Sequence, residues 1–176
     1  MDESELQKRA ARIKLLLMDC DGVLTDGRLL ILENNDDQKT FFARDGLGIE
    51  LWHRAGMKSG VISGRNSSAL ERRARKLGMT FVWQGCEDKH KAFDMSLAEA
   101  GLSADEVAYV GDDLVDIPLM RRSGLSFAVG DAALETREQA SYVTIAKGGR
   151  GAVREVVELI LKSQGKWEEV IRHFLE

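Results

Sequence analysis

The sequence lacks the patterns that mark several classes of protein. It has only two cysteines among 176 residues, Cys20 and Cys86, and no Cys-x-x-Cys spacing that would indicate a metal site. No apolar run approaches the roughly 20 residues needed to span a bilayer. The first 12 residues lack the apolar core of a signal peptide. We therefore expect a soluble, cytoplasmic protein with reduced thiols and no membrane partner.

An excess of positive charge is also lacking. The chain has 25 Lys and Arg residues against 29 Asp and Glu residues, a net charge of −4. Since nucleic-acid binding depends on basic surfaces, we expect no nucleic-acid partner. Repeats, low-complexity tracts and proline-rich linkers are absent as well. The length and the ordinary composition predict one domain over residues 1–176.

Short apolar runs alternate with helical patterns along most of the chain. Strands are predicted at residues 13–18, 57–62, 80–83, 107–110, 125–129 and 142–145. Helices are predicted at residues 3–12, 46–55, 67–77, 89–100, 116–122, 132–138, 151–163 and 167–174. This alternation predicts an α/β fold with a doubly wound, mainly parallel sheet that is covered by helices on both faces.

Residues 27–44 have a different character. Two apolar arms, residues 29–32 and 39–42, flank the polar residues 33–38, which is the pattern of a β-hairpin. The arms are more apolar than a half-exposed hairpin needs. They must pack either on the domain or on another subunit, and the pattern leaves both open.

Polar side chains follow four of the predicted strands. Asp19 and Asp21 end the first strand, where residues i and i+2 point the same way and aim both acids at one site. Ligands of open α/β sheets bind beyond the carboxyl ends of the strands. The remaining ends supply Ser63-Gly64-Arg65, Lys89, and Gly111-Asp112-Asp113 with Asp116. These residue types can hold a phosphoryl group and its metal ion.

Each of these residues also has an ordinary structural interpretation. Ser63 is well placed to cap the next helix, and Lys89 has the default of a solvated surface residue. Asp112, Asp113 and Asp116 are typical capping residues. A lysine at a helix start is disfavoured by the helix dipole, however, which indicates an anionic partner. The combination at four strand ends favours phosphoryl transfer.

These residues in this order resemble the haloacid dehalogenase superfamily of phosphohydrolases. The resemblance rests on Asp19-x-Asp21-Gly-Val-Leu-Thr25, Ser63, Lys89 and Gly111-Asp112-Asp113-x-x-Asp116, and it covers nearly the whole chain. It implies a Rossmann-like core and Mg²⁺. Asp19 would be the nucleophile that forms an aspartyl-phosphate. Asp21 would be the general acid that protonates the leaving oxygen and then the base that activates water.

The same resemblance implies the remaining site residues. The metal ligands would be Asp19, Asp112 and the backbone carbonyl of Asp21. Asp113 and Asp116 would orient the groups around the metal. Ser63, Gly64 and Lys89 would bind the phosphate.

A narrower resemblance comes from the absence of a cap domain and from four further motifs. Only the hairpin separates Thr25 from Asp45, so no cap domain is expected. The motifs are Asp21-Gly-Val-Leu-Thr-Asp-Gly, Arg44-Asp45-Gly46-x-Gly48-Ile49, Val110-Gly-Asp-Asp-Leu-Val-Asp and Gly148-Gly-Arg-Gly-Ala-Val-Arg-Glu. They resemble the 3-deoxy-D-manno-octulosonate 8-phosphate phosphatases, which act in lipopolysaccharide precursor synthesis. In that family the hairpins of four subunits form a central barrel, which implies a homotetramer with residues 27–44 as its oligomerisation element.

The resemblance implies an acidic sugar phosphate as substrate and leaves its identity open. Arg44, Arg65 and Arg150 are candidates for the substrate carboxylate, since arginine grips carboxylates bidentately. Arg150 is the strongest of them, because the glycines around it let the segment lie close against a ligand. The alternative substrate is a 2-keto-3-deoxynonulosonate or sialic acid 9-phosphate, and the Gly-Gly-Arg-Gly segment favours the octulosonate. A non-catalytic phospho-Asp signalling module is the competing class. An acid two residues after the nucleophile favours turnover over such a switch.

Overall fold

A parallel six-stranded sheet forms the centre of the protein in a computed structural model that describes residues 2–31 and 37–176. Its strands are β1 (Leu15–Met18), β4 (Lys58–Ile62), β5 (Phe81–Trp83), β6 (Val107–Gly111), β7 (Leu125–Ala128) and β8 (Tyr142–Val143). They lie in the order β5-β4-β1-β6-β7-β8, and every neighbouring pair is parallel. The predicted α/β fold is therefore confirmed.

Helices cover both faces of this sheet. All four side chains of β1 are buried, although alternate residues of a strand point to opposite faces. The helices are α1 (Glu3–Ala10), α2 (Ala43–Arg54), α3 (Ser68–Leu77), α4 (Lys89–Ala100), α5 (Ile117–Arg122), α6 (Leu134–Gln139), α7 (Ala152–Ser163) and α8 (Trp167–Ile171). Within the described ranges, no helix combines the length and the apolar character that a membrane crossing requires.

Local sequence explains where the central helices begin and end. Ser67 accepts a hydrogen bond from the Leu70 amide at the start of α3, and Asp88 accepts one from the His90 amide at the start of α4. Both helices end at a glycine in the left-handed conformation, Gly78 and Gly101. Helix α4 has the predicted bounds, so Lys89 lies at the start of the helix that follows β5, as the sequence predicts.

The first strand lies at the point where the strand order reverses. From β1 the chain passes to β4 and β5 on one side and then to β6, β7 and β8 on the other. Such a reversal opens a crevice at the carboxyl ends of the strands. Between β1 and α2 the described residues contain only a hairpin, and between β4 and β5 only α3. The crevice therefore has no cap domain of its own chain.

The hairpin is present but differs in detail from the prediction. Strands β2 (Leu30–Ile31) and β3 (Asp37–Gln38) pair antiparallel, and residues 32–36 lie outside the described residues. The predicted second arm, residues 39–42, is not a strand. Its residues leave the hairpin because Lys39 binds Asp21, Phe41 packs on the core and Phe42 is the N-cap residue of α2. Leu29 and Leu30 stay exposed, at 45% and 57%.

Candidate active site

Six of the predicted site residues at the strand ends line one cavity of about 430 Å³. Asp19 and Asp21 follow β1, Ser63, Gly64 and Arg65 follow β4, and Lys89 begins α4. All of them line the cavity, together with Cys86, Glu87, Asp88, His90, Val115, Pro118 and Leu119. The parallel sheet brings these residues together, although Asp19 and Lys89 are 70 positions apart in the sequence.

Lys89 is a buried cation between two carboxylates. Its Nζ lies 2.9 Å from Asp19 Oδ1 and 2.8 Å from Asp116 Oδ1, and its side chain is only 10% exposed. Burial lowers the pKa of Lys89, but the charges of Asp19 and Asp116 outweigh burial and raise it. Lys89 is therefore charged, and the interpretation as a surface lysine is wrong.

Asp116 holds several other groups of the site in place. Its Oδ1 also accepts a hydrogen bond from the Tyr109 hydroxyl at 2.9 Å, and its Oδ2 accepts one from the Asp112 amide at 3.0 Å. Asp116 is completely buried, and both of its oxygens have partners. Its contacts fix the position of Lys89 and the start of the loop that carries Asp112.

Asp112 has an oxygen without a partner in the structure. Its Oδ1 is buried and has no hydrogen-bond partner. Its Oδ2 approaches the backbone of Gly22, where an added Cβ would lie 2.0 Å away. Gly22 also has φ +96°, so its position requires glycine for both space and conformation. A buried carboxylate oxygen that lacks a partner fits a bound cation.

Three carboxylates lie close enough to share a metal ion. Asp19, Asp112 and Asp116 each offer an oxygen within 4.8 Å of the others. Burial and the charge of Asp116 raise the pKa of Asp19 to about 6. Burial and the charges of Asp116 and Asp19 raise the pKa of Asp112 to about 8. A divalent cation would relieve this repulsion, and carboxylate oxygens are the ligands that Mg²⁺ prefers.

These pKa values predict how pH affects the stability of the metal-free protein. Aspartates of an unfolded chain titrate at about pH 4, so Asp19 and Asp112 together bind more protons in the folded protein than in the unfolded chain between about pH 4 and 8. The free energy of unfolding should therefore fall as pH rises through this range. In chelator, we expect the melting temperature to fall with rising pH and to fall less steeply in Asp112→Asn. Equal slopes for the two proteins would contradict the raised pKa of Asp112.

Lys39 is a site residue that the sequence analysis missed. It pairs with Asp21 Oδ1, and its side chain is 1% exposed. The sequence places Lys39 in an apolar hairpin arm that belongs to no strand end of the sheet. The available signal was a single cation in the apolar run Lys39-Thr-Phe-Phe, which would be costly to bury without a partner.

Ser63 points into the cavity and does not cap a helix. It is buried, and its Oγ accepts a hydrogen bond from the Arg65 amide at 3.2 Å. The cap of α3 is Ser67, four residues later. Asp113, in contrast, has the capping role that the sequence allowed, because it is exposed and accepts from the Leu114 amide.

The structure separates the three candidate arginines. Arg65 lines the cavity with Asp19, whereas Arg44 and Arg150 line a different cavity of about 240 Å³. The Arg150 side chain is 63% exposed, and it forms an ion pair with Asp26 at 3.8 Å.

The glycines around Arg150 have a purpose that the sequence analysis did not identify. An added Cβ at Gly148 would lie 1.6 Å from the Gly22 carbonyl oxygen. The Gly149 amide donates a hydrogen bond to the Val23 carbonyl at 2.8 Å. We expected these glycines to let the segment lie against a ligand. In the structure they let it lie against the backbone of the loop that follows Asp21.

Comparisons with known proteins agree with this geometry. The sequence profile of the haloacid dehalogenase-like hydrolases matches residues 79–156. A 3-deoxy-D-manno-octulosonate 8-phosphate phosphatase, KdsC of Yersinia pestis, is 45% identical over 161 residues, which cover 92% of this chain and 86% of the relative.

Solved structures extend the likeness to the whole chain. The crystal structure of a probable YrbI family phosphatase from Pseudomonas syringae has a TM-score of 0.95 and 46% identity, over 99% of both chains. A 3-deoxy-D-manno-octulosonate 8-phosphate phosphatase from Moraxella catarrhalis, crystallised with magnesium ion, phosphate ion and KDO, has a TM-score of 0.94 and 37% identity. The matched region spans 98% of this chain and 99% of the Moraxella catarrhalis chain.

Proposed function

This chain belongs to the haloacid dehalogenase-like hydrolases and is a phosphoric monoester hydrolase, and we propose that it hydrolyses 3-deoxy-D-manno-octulosonate 8-phosphate to the free sugar acid and phosphate. The observation that carries this proposal is the pairing of a buried Asp19 with Lys89 beside the unpartnered oxygen of Asp112. The relatives from Yersinia pestis and Moraxella catarrhalis support the choice of substrate.

Asp19 is the nucleophile of the first step. A carboxylate oxygen of Asp19 attacks the phosphorus, and the bond between phosphorus and the sugar oxygen breaks. Asp21 gives its proton to the sugar oxygen, which is a poor leaving group without it. The products of this step are the free sugar acid and a phosphorylated Asp19.

Asp21 acts as a base in the second step. It removes a proton from a water molecule, whose oxygen attacks the phosphorus. The bond between phosphorus and Asp19 then breaks, which releases phosphate and restores both carboxyl groups. Lys39 pairs with Asp21 and so holds its carboxyl group at the edge of the cavity for both proton transfers.

Asp19, Asp112 and the backbone carbonyl of Asp21 would hold Mg²⁺. The cluster of three carboxylates and the unpartnered Asp112 Oδ1 fit a divalent cation. When bound, Mg²⁺ supplies positive charge that offsets the negative charge of the phosphate and the acids. Asp116 is the residue that orients this group, because its own oxygens already have partners.

The phosphate would lie between Ser63 and Lys89, which line the same cavity as Asp19. The Gly64 backbone would also bind it. Arg65 at the cavity edge is the best-placed cation for the substrate carboxylate. Arg44 and Arg150 would take part only if the sugar or a neighbouring subunit reaches the second cavity.

Direct measurement of phosphate release tests the proposal. We expect turnover of the octulosonate 8-phosphate with Mg²⁺ and its loss in chelator, restored by added Mg²⁺. A sialic acid 9-phosphate serves as the matched comparison, since it has the same charged groups on a longer chain. A higher kcat/KM for the 9-phosphate would replace the proposed substrate. An absence of release from both would reject the proposed function.

Exposed leucines at the start of the hairpin support contact between subunits, and we propose a homotetramer. Leu29 and Leu30 are apolar and exposed in the single chain, and packing against other hairpins would remove them from water. We place the enzyme in the cytoplasm and its product in lipopolysaccharide precursor synthesis. A sedimentation mass of one chain at micromolar concentration would rule out the tetramer.

A further inference from the structure

We propose that Asp45 is a positioning residue of this phosphatase, which acts through residues 148–151 on the loop that carries Asp19 and Asp21. Asp45 lies in the first turn of α2 and does not line the cavity of Asp19. Asp45 therefore has no direct part in the chemistry proposed above. The inference rests on the proposed function for its kinetic consequence and on contacts alone for its structural part.

The Asp45 carboxylate binds the start of a different helix. Its Oδ2 accepts a hydrogen bond from the Gly151 amide at 3.1 Å, and its Oδ1 accepts one from the Arg154 amide at 2.9 Å. Asp45 is 1% exposed, so these bonds are shielded from water. A carboxylate at a helix N-terminus satisfies free amides and interacts favourably with the helix dipole.

The N-terminus of helix α7 has no capping side chain of its own, so the Asp45 carboxylate supplies the capping oxygen. Its N-cap residue is Gly151, which has no side chain and a φ of +108°. Most helices start with a residue that supplies its own capping oxygen. Here the oxygen comes from a residue 106 positions earlier in the chain, which ties the beginning of α7 to the beginning of α2.

The segment before Gly151 packs directly on the loop that carries Asp19 and Asp21, which we call the catalytic loop. The Gly149 amide donates to Val23, two residues after Asp21, and an added Cβ at Gly149 would lie 2.4 Å from the Thr25 carbonyl carbon. Close packing of this kind transmits displacements, because neither backbone can yield without moving the other. The contacts thus run from Asp45 to Gly151, along the chain to Gly149, and across to the catalytic loop.

The other end of the segment has a separate anchor. Asp131 accepts a hydrogen bond from the Gly148 amide at 2.9 Å and is exposed. Water competes more for the exposed carboxylate of Asp131 than for the buried carboxylate of Asp45, which also accepts two bonds instead of one. Asp45 is therefore the stronger of the two anchors.

Asp45→Asn tests the proposal with little change in size. The amide group turns one acceptor into a donor that faces a backbone N–H. We expect kcat to fall by about 10-fold or more with KM changed less than about 2-fold, because displacement of the catalytic loop affects reacting groups more than binding. We also expect faster hydrogen exchange at the Gly149 amide, measured by NMR.

Ile160→Val is the matched control. Ile160 lies in α7 and is completely buried, so this change lowers stability without touching Gly151. It should leave kcat and Gly149 exchange close to those of the unmodified protein. Equal effects in both variants would overturn the proposal, since stability alone would then explain them.

The kinetic and hydrogen-exchange outcomes also separate the positioning role of Asp45 from the proposed phosphatase function. Unchanged kcat in folded Asp45→Asn, or unchanged Gly149 exchange, would overturn the positioning role. If the unmodified protein releases no phosphate while Gly149 exchange still rises in Asp45→Asn, the proposed function fails but the anchoring of the loop is supported.

Discussion

Asp19→Asn is expected to reduce phosphate release by on the order of 10³-fold or more, because an amide oxygen cannot replace the attacking carboxylate. The change conserves size, and its neighbour Lys89 keeps Asp116 as a partner. The variant should therefore fold. Phosphate release under single-turnover conditions measures the chemical step directly.

The same variant should be more stable than the unmodified protein when Mg²⁺ is removed. Asp19 is buried beside Asp116, and burial together with that charge raises its pKa to about 6. Loss of its charge relieves part of the repulsion in the metal-free site. Activity and stability would then change in opposite directions, which a simple folding defect cannot produce.

Asp105→Asn is the matched control for charge. Asp105 is exposed and does not line the cavity, so neither turnover nor the effect of chelator on melting should change. Turnover of Asp19→Asn within about 10-fold of the unmodified protein would reject Asp19 as the nucleophile.

The sequence was sufficient to predict the part of the site that follows from local pattern. Asp19 and Ser63 come directly after a short apolar run, Asp112 follows such a run after one glycine, and Lys89 begins the helix after the third run. Parallel strands have their carboxyl ends at one edge of the sheet, so the predicted fold was enough to predict that these residues lie together. Their chemistry could be inferred because each residue type matches one requirement of phosphoryl transfer.

Residues whose role depends on contacts between distant segments could not be predicted in this way. Lys39 reaches Asp21 because the chain leaves the hairpin earlier than the apolar pattern indicates. Asp45 binds Gly151, 106 positions away, and no periodicity encodes that contact. The glycines around Arg150 were predicted to lie close against a ligand, and the pattern could not show that Gly148 and Gly149 pack on the loop after Asp21.

Lys89→Met should remove activity and also destabilise the fold. It leaves Asp19 and Asp116 without the cation that lies within 2.9 Å of both. Breaking a buried ion pair by removing one partner costs about 3–5 kcal/mol, and protonation of the acids offsets part of this. The phosphate would lose a cation, so turnover should fall by about 10²- to 10³-fold. Lys91→Met, an exposed change two residues later in α4, is the control and should alter neither quantity.

A second substitution separates the two effects of Lys89. Asp116→Asn in the Lys89→Met background removes one of the two unpaired charges, so the double variant should unfold at a higher urea concentration than Lys89→Met alone. Turnover should stay low, because the missing cation on the phosphate is not replaced. A double variant no more stable than the single one would show that Lys89 stabilises the site by packing instead of charge. Since the same ammonium group neutralises Asp116, contacts Asp19 and faces the phosphate position, stability and catalysis depend on it for different reasons, and only the stability can be recovered by removing an acid.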